Sequence, residues 1–301
     1  MKSFLKNLLL TALAFTFTVS IAHSQDAILK PFVLASKGAG IVADKVTATK
    51  AALQASGFDV IGTYSPYADT TIIVVTNEEM KNTAAKSEHG GFGAAQRVSV
   101  VKVKDDVQVA YTNPVYMAGG YRLSGDLGST AAKLQLALGK LEEFGATGMT
   151  ATKLRKYHYM IGMEYFDEPS LLAEHASHED ALKAVEANLA AGKGGVSKVY
   201  RVDIPGKKES VFGVAMKAND KYFGDQFVMG VIDFKDVKSA AHLPYEILVT
   251  GNKVIALYAR FRIALDFPDL KMVGDNSFLK IMAAPESIRK TLVMAAGGTE
   301  P

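Results

Sequence analysis

The sequence contains no cysteine and no tryptophan. Without cysteine the chain cannot form disulfides, a thiolate nucleophile, cysteine-ligated zinc or iron–sulfur clusters. It also lacks the G-x-S-x-G, H-E-x-x-H and phosphate-binding P-loop motifs of common enzyme classes. After residue 24 no apolar run approaches the roughly 20 residues that a bilayer span needs. These absences weigh against several catalytic classes, although an enzyme with dispersed catalytic residues stays open.

The first 24 residues differ in character from the rest of the chain. Lys2 and Lys6 are followed by an apolar stretch from Leu8 to Ala22 and by the small residue Ser24. This pattern is typical of a secretory signal peptide cleaved after Ser24; the alternative is an uncleaved anchor, for which the apolar run is short. Cleavage lowers the formal net charge from +3 to +1. We therefore expect a periplasmic protein whose partner is a small molecule or another periplasmic protein, with no nucleic acid and no membrane after cleavage.

Two stretches, residues 97–123 and 244–270, have the same pattern. Val98 aligns with Tyr245 and Val107 with Val254, each pair 147 positions apart, with no gap between them. Each stretch is an apolar, β-branched run, a polar turn and a second apolar run, which predicts an antiparallel β-hairpin. The constant spacing indicates a duplication.

Each half repeats the order helix, two strands, loop, hairpin and helix. This order predicts the α+β class, with two tandem two-layer domains. Each would be a mainly antiparallel sheet covered by helices, and the two would pack as a pseudo-dimer because unpaired sheet edges invite aggregation. The predicted divisions are a signal peptide at 1–24, a first repeat at 25–150, a connector at 151–176 and a diverged second repeat at 177–301. The pattern also predicts a mobile loop over 77–95 and helices over 130–144 and 278–294.

Several short features resemble a known family. They are the helix leading into residues 57–60 (GFDV), the paired strands, and the hairpin that ends at Asn113-Pro114. Together they resemble the domain-of-unknown-function 302 family, in which the hairpin commonly runs into an Asp-Pro pair. The second copy has Arg260-Phe261 at the aligned place, so the pair is lost there. The resemblance covers most of the mature chain as a tandem and implies a compact α+β domain, but no reaction.

The end of the first hairpin carries a candidate ligand-binding wall. Glycines stand there beside aromatic residues and an arginine that could hold an anion. A histidine in a glycine-rich stretch could sit on a lid over the same pocket. The alternative is a sheet edge with a flexible exit and a solvated loop histidine. The candidate residues are Asn113, Tyr116, Met117, Tyr121, Arg122 and His89.

The connector carries a second candidate site. His158, Met160 and Met163 lie within a few residues of one another, among several tyrosines. Imidazole and thioether groups form a soft ligand set that suits Cu(I) or the axial positions of a haem. The alternative is that methionines and tyrosines pack the connector against both domains, since methionine fills irregular gaps.

Two other motifs favour structural interpretations. Residues 38–43 (GAGIVA) match a dinucleotide fingerprint, but the following strands form a meander, and a tight turn explains the glycines. Residues 175–180 (HASHED) resemble metal-ligand spacing, whereas Ser177 followed by Asp180 predicts a helix cap. The first hypothesis is therefore a periplasmic binding or accessory protein, the second a haem or copper protein, and the third an enzyme.

Overall fold

The computed structural model describes residues 27–160, 162–216 and 222–299. The expected signal peptide lies outside these residues. Within them the chain is a mixed α/β protein with antiparallel sheets, as predicted. None of the helices in these ranges combines the length and the apolar character that a bilayer span requires.

The first half contains eight strands and four helices within the described residues. They are β1 (Ile28–Leu29), β2 (Phe32–Ala39), α1 (Val42–Ala55), β3 (Asp59–Tyr64), β4 (Thr70–Thr76), α2 (Glu78–Ala85), β5 (Gln96–Val103), β6 (Asp106–Thr112), α3 (Pro114–Gly120), α4 (Gly128–Leu138), β7 (Glu142–Phe144) and β8 (Met149–Thr150). A 3-10 turn, Gly90–Gly93, precedes β5.

The second half has a similar order. Its elements are α5 (Ala151–Leu154), β9 (Ser170–Glu174), α6 (His178–Ala190), β10 (Ser197–Asp203), β11 (Glu209–Ala215), α7 (Asp225–Ile232), β12 (Tyr245–Thr250), β13 (Lys253–Ala256), α8 (Ala259–Asp266) and α9 (Ala284–Ala296). Further 3-10 turns are Lys193–Gly195, Ala240–His242 and Phe278–Ile281. Strand β9 lies inside the stretch predicted as connector and pairs with β13.

The two large sheets have corresponding strand orders. The six-stranded sheet runs β3-β4-β5-β6-β2-β7 and the five-stranded sheet runs β10-β11-β12-β13-β9. All neighbouring strands in both are antiparallel, and β1 pairs with β8 in a separate two-stranded ribbon. In the first half β2, which precedes α1, lies beside the second hairpin strand β6. In the second half β9, which precedes α6, lies in the same way beside β13.

The structure confirms both predicted hairpins and their common register, but the predicted stretches 97–123 and 244–270 extend beyond them. Strand β6 ends at Thr112 and β13 at Ala256, and the helices α3 and α8 follow. Val101 lies opposite Gln108 in the first hairpin, and Leu248 lies opposite Ile255 in the second. These pairs are related by the same spacing of 147 positions that the sequence shows. Alternating apolar residues and a local polar turn were sufficient to predict this register because both are short-range properties.

Three predicted elements differ in the structure. The mobile loop over 77–95 contains α2, whose first turn is capped by the Asn77 side chain accepting from the Met80 N–H at 2.9 Å. The helix over 130–144 ends at Leu138, because Gly139 has a φ of 93° and the chain turns into β7. The closing helix is divided into the turn Phe278–Ile281 and α9. Ser177 caps α6 as expected, by accepting from the Asp180 N–H at 3.1 Å.

Helices cover each sheet, and the halves contact each other through corresponding turns. Helices α1 and α4 pack on the first sheet, and α6 and α9 pack on the second. The turn Gly90–Gly93 packs on β11 and β12, while the turn Ala240–His242 packs on β4, β5 and β6. Each turn precedes the first strand of its own hairpin, so the two contacts are reciprocal.

Edge strands β3 and β10 lie against each other at Gly62. A Cβ at this position would be 2.7 Å from the carbonyl oxygen of Val199 and 3.0 Å from the Cβ of Tyr200. Only glycine leaves room for such a close approach of two backbones. The inner edges of the two sheets therefore shield each other.

Candidate functional site

Three residues of the predicted ligand wall, Asn113, Tyr116 and Met117, lie in the first turns of α3 or cap it. The Asn113 side-chain oxygen accepts from a backbone N–H in the first turn of this helix at 3.2 Å, and its Nδ2 donates to the Lys30 carbonyl at 2.9 Å. Tyr116 and Met117 are buried, and the Tyr116 hydroxyl donates to the Leu265 carbonyl at 2.7 Å. Because backbone groups engage these polar atoms, the three residues hold α3 in the core.

The connector brings the other three predicted wall residues together. Tyr121 is buried and stacks on Phe166 with a centroid distance of 5.7 Å, and the His89 ring meets the same phenylalanine at 6.4 Å. Arg122 forms an ion pair with Asp167 at 2.6 Å. An anion would have to compete with this carboxylate, so Arg122 is a weaker anion site than the sequence suggested.

His89 also lines an open cleft of about 430 Å³ between the halves. Lys207 and Lys208, from the turn between β10 and β11, line the same cleft. The Lys207 ammonium donates to the carbonyls of Ser87 at 2.5 Å and Ala84 at 3.5 Å, at the C-terminal end of α2. A cation at the end of a helix is favoured by the helix dipole. Lys207 therefore docks the second half onto the first.

The three predicted metal ligands separate into two groups. Met160 and Met163 line one cavity of about 40 Å³, whereas His158 is not part of its lining. The His158 Nδ1 atom is 3.0 Å from the Met160 carbonyl oxygen, and the imidazole lies 4.4 Å from the Tyr165 ring. His158 therefore holds the loop that carries Met160.

A third methionine, Met272, completes this cavity from the segment after α8. Sequence reasoning missed it because it lies more than a hundred positions beyond Met160 and in no recognisable motif. We call the site the methionine groove. Its lining residues are Tyr159, Met160, Met163, Arg260, Ile263, Ala264, Phe267, Leu270, Met272 and Phe278.

The groove continues into a second cavity of about 170 Å³. The two cavities share Met163, Arg260 and Phe278, and the second extends to the N-terminal end of α9. Met160 and Met282 are about half exposed or more, at 48% and 63%. The groove is therefore open to solvent along a flexible thioether rim.

The charged residues of the groove are neutralised by partners. The Arg260 guanidinium donates to both carboxylate oxygens of Glu164. Glu286, in the second cavity, accepts two hydrogen bonds from Arg289, which lower its pKa. With each charge paired, the groove favours an uncharged, apolar guest over an ion of either sign that requires a counter-charge.

A buried ionic network lies between the two sheets. Arg97 on β5 and Glu246 on β12 form an ion pair at 2.5 Å, and both side chains are at most 1% exposed. The Tyr200 hydroxyl also donates to Glu246. Gly213 is required beside it, because a Cβ there would overlap the Tyr200 ring. Each half thus contributes one buried charge, and each of these charges is neutralised by the other.

Arg262 extends the network into the second half. Its guanidinium donates to the Pro244 carbonyl at 3.0 Å and to the His242 carbonyl at 2.7 Å. It also lies 4.9 Å from the centroid of the Tyr245 ring, a cation–π contact. Arg262 therefore ties α8 to the turn that packs on the first sheet.

His242, Asp266 and Tyr245 form a linked set beside Arg262. The His242 Nδ1 lies 2.6 Å from Asp266, and its Nε2 lies 3.3 Å from the Tyr245 hydroxyl. Burial lowers the pKa of His242, against the opposing effect of Asp266, so the imidazole is neutral near pH 7. An acid–histidine–hydroxyl arrangement resembles the orientation used in nucleophilic catalysis. All three side chains are at most 1% exposed, so this set is closed to substrate.

Several atoms of the network make no hydrogen bond within the described residues. Leaving a buried polar group unsatisfied costs about 1–3 kcal/mol. Only a docking geometry that brings Arg97 to Glu246 pairs the buried charges, so the network favours one arrangement of the two halves. These atoms are Nε of Arg97, Nε of Arg262, Oδ1 of Asp266 and Oε2 of Glu246.

A buried carboxyl at the end of α7 predicts a pH dependence of stability. Asp233 accepts from the Ser239 N–H at 2.8 Å. Burial raises its pKa from 3.8 to about 6, although this hydrogen bond and Lys238 oppose the shift. The folded state therefore binds the proton more tightly than the unfolded chain. The resulting stability is fully present below about pH 4 and is lost as the pH rises through 6.

Asp233→Asn should remove this dependence. Two pKa units correspond to about 3 kcal/mol, so the free energy of unfolding of the wild type should fall by roughly that amount, relative to the variant, between pH 4 and pH 7. Urea unfolding of both proteins at several pH values measures the difference. If the free energies of unfolding of the two proteins changed with pH in the same way, Asp233 would not titrate as described.

Among the described residues, no group of three or more histidine, aspartate or glutamate side chains could hold a metal ion. Comparisons with protein-family models, with curated proteins and with solved structures found no match.

Proposed function

We propose that the chain is an exported binding protein that holds a small, uncharged, apolar ligand in the methionine groove. Export to the periplasm follows from the signal peptide proposed at residues 1–24. The observation that carries the binding proposal is that connector residues Met160 and Met163 line one cavity with Met272 and Phe278. Thioether and aromatic side chains adapt to apolar guests of different shapes.

The size of the groove limits the ligand. Both cavities, about 40 and 170 Å³, are smaller than the roughly 300 Å³ at which pockets begin to enclose a drug-sized molecule. A short aliphatic chain fits this space, and a haem does not. We therefore favour an aliphatic ligand over the haem alternative.

We also propose that the two halves are diverged copies of one α+β domain, packed as a pseudo-dimer. Three observations support this: the corresponding strand orders, the shared hairpin register and the reciprocal turn contacts. A two-fold arrangement makes each surface patch contact the corresponding patch of the other copy. The resemblance of the sequence to the domain-of-unknown-function 302 family is also part of this proposal, because it implies that each half is one compact α+β domain.

The binding proposal is tested with protein carrying ¹³C in the methionine methyl groups, titrated with 1-hexanol. Saturable chemical-shift changes are expected at Met160, Met163 and Met272. Met163→Trp should weaken hexanol binding by about tenfold or more, equivalent to about 1.4 kcal/mol, because the indole fills the space shared by both cavities.

Met294→Trp is the matched control. Met294 lies on α9, is 43% exposed and is outside the lining of both cavities. Its replacement should leave hexanol binding unchanged. Shifts that do not saturate, or that appear equally at Met294, would contradict the proposed site.

A further inference from the structure

Three thioether side chains, those of Met160, Met163 and Met272, line the first cavity of the methionine groove. We infer that Met160, Met163 and Met272 bind a soft monovalent cation, Cu(I), in the first cavity. This inference rests on the groove of the proposed function but names a different ligand class. It assigns a role to Met272. This methionine takes the place of His158, which the sequence hypothesis had proposed as a direct ligand.

The volume fits one ion. A cavity of about 40 Å³ exceeds the roughly 10–15 Å³ needed for a single water molecule. It therefore has room for a single ion beside the three thioether side chains that line it. The partial exposure of Met160 and Met272, at 48% and 39%, provides a route by which the ion can enter.

The donor set selects the metal. Thioether sulfur is a soft ligand that suits Cu(I), whereas calcium, magnesium and manganese need oxygen donors. No carboxylate lines the first cavity, and its one charged lining residue, Arg260, is paired with Glu164. A divalent ion would lack compensating negative charge there. A monovalent ion has a smaller desolvation cost than a divalent one, and bonds to three soft sulfur atoms take the place of a counter-charge.

His158 acts as a positioning residue. Its contact with the Met160 carbonyl holds the loop that presents the thioether. Because the imidazole does not line the cavity, its loss should weaken binding by allowing the loop to move, without removing a ligand. Because no carboxylate lines the first cavity, the number of thioethers is the main determinant of affinity there.

The test uses Ag(I), which keeps its oxidation state in buffer, and Cu(I) held reduced by excess ascorbate. The protein lacking residues 1–24 is titrated with each ion, and binding is followed by native mass spectrometry and by the methionine methyl signals. We expect one ion per chain, with the largest shifts at Met160, Met163 and Met272.

The decisive variant is the triple replacement of Met160, Met163 and Met272 by leucine. Leucine conserves the apolar volume, since Leu–Met exchanges usually cost less than about 1.5 kcal/mol. Metal affinity should fall by at least about 100-fold, because even the loss of an outer-shell partner costs about 10- to 100-fold. Hexanol binding should change by less than about threefold, because the groove stays apolar. Met294→Leu, outside both cavities, is the control and should keep full metal affinity.

The outcomes separate the two proposals. Unchanged metal affinity in the triple variant, or no stoichiometric ion in the wild type, would overturn the metal site and leave hexanol binding intact. Metal binding that depends on the three methionines, in a protein that binds no hexanol, would support the metal site and overturn the proposed apolar ligand.

Discussion

Glu246→Ala is expected to lower the free energy of unfolding by about 3–5 kcal/mol, because removing one partner of a buried ion pair leaves an uncompensated charge. The remaining charge would be Arg97, which is 1% exposed between the two sheets. Typical domains are stable by only about 5–15 kcal/mol, so much of the stability of the fold would be lost. Urea unfolding followed by circular dichroism measures the change.

Two controls separate the charge effect from general damage. Lys104→Ala removes a cation whose pairing with Asp236, at 3.7 Å, is between side chains that are more than 80% exposed. It should change stability by less than about 1 kcal/mol. Arg97→Met combined with Glu246→Leu removes both buried charges and should recover much of the loss. If Glu246→Ala alone were as stable as the wild type, the Arg97–Glu246 pair would not be isolated from water.

The second prediction concerns a protein whose chain is divided between Glu168 and Pro169. The two fragments, residues 25–168 and 169–301, should each be unfolded or aggregated when expressed alone, and should form a one-to-one complex when coexpressed. The break lies at an exposed position within the predicted connector, just before β9. Each isolated half would expose an apolar face and one member of the Arg97–Glu246 pair, which the other half normally covers.

A tag on one fragment provides the measurement, since the partner fragment should copurify with it. The same experiment with Glu246→Ala in the second fragment should reduce the yield of complex sharply. Two fragments that each fold and stay apart would contradict the pseudo-dimer proposal. They would then be independent domains, with the buried network formed only after folding.

Sequence patterns predicted part of the candidate site. Met160 and Met163 were recognisable because they are close in the chain and their side chains are unusual. Met272 was not, because its position in the groove depends on how the segment after α8 folds back over the connector. Asn113, Tyr116 and Met117 were predicted to form a ligand-binding wall, whereas the structure buries all three, because burial depends on packing and not on residue type.

The buried network shows a similar limit. Arg97, Glu246 and Asp266 each interrupt an apolar run, which was the available signal. Nothing in the local pattern indicated that a residue of one half would pair with a residue of the other almost 150 positions away. The α2 helix was also missed, because the glycines after it suggested a loop and its Asn77 cap is a single residue.

By itself the sequence determined the two hairpins, their common register and the mixed α/β class. These depend on alternation, turn chemistry and helix caps, which act over a few residues. Only the tertiary structure decided which side chains meet at the methionine groove and between the sheets. Both sites join residues from distant segments, and their contacts depend on the packing of whole elements rather than on local conformational preference.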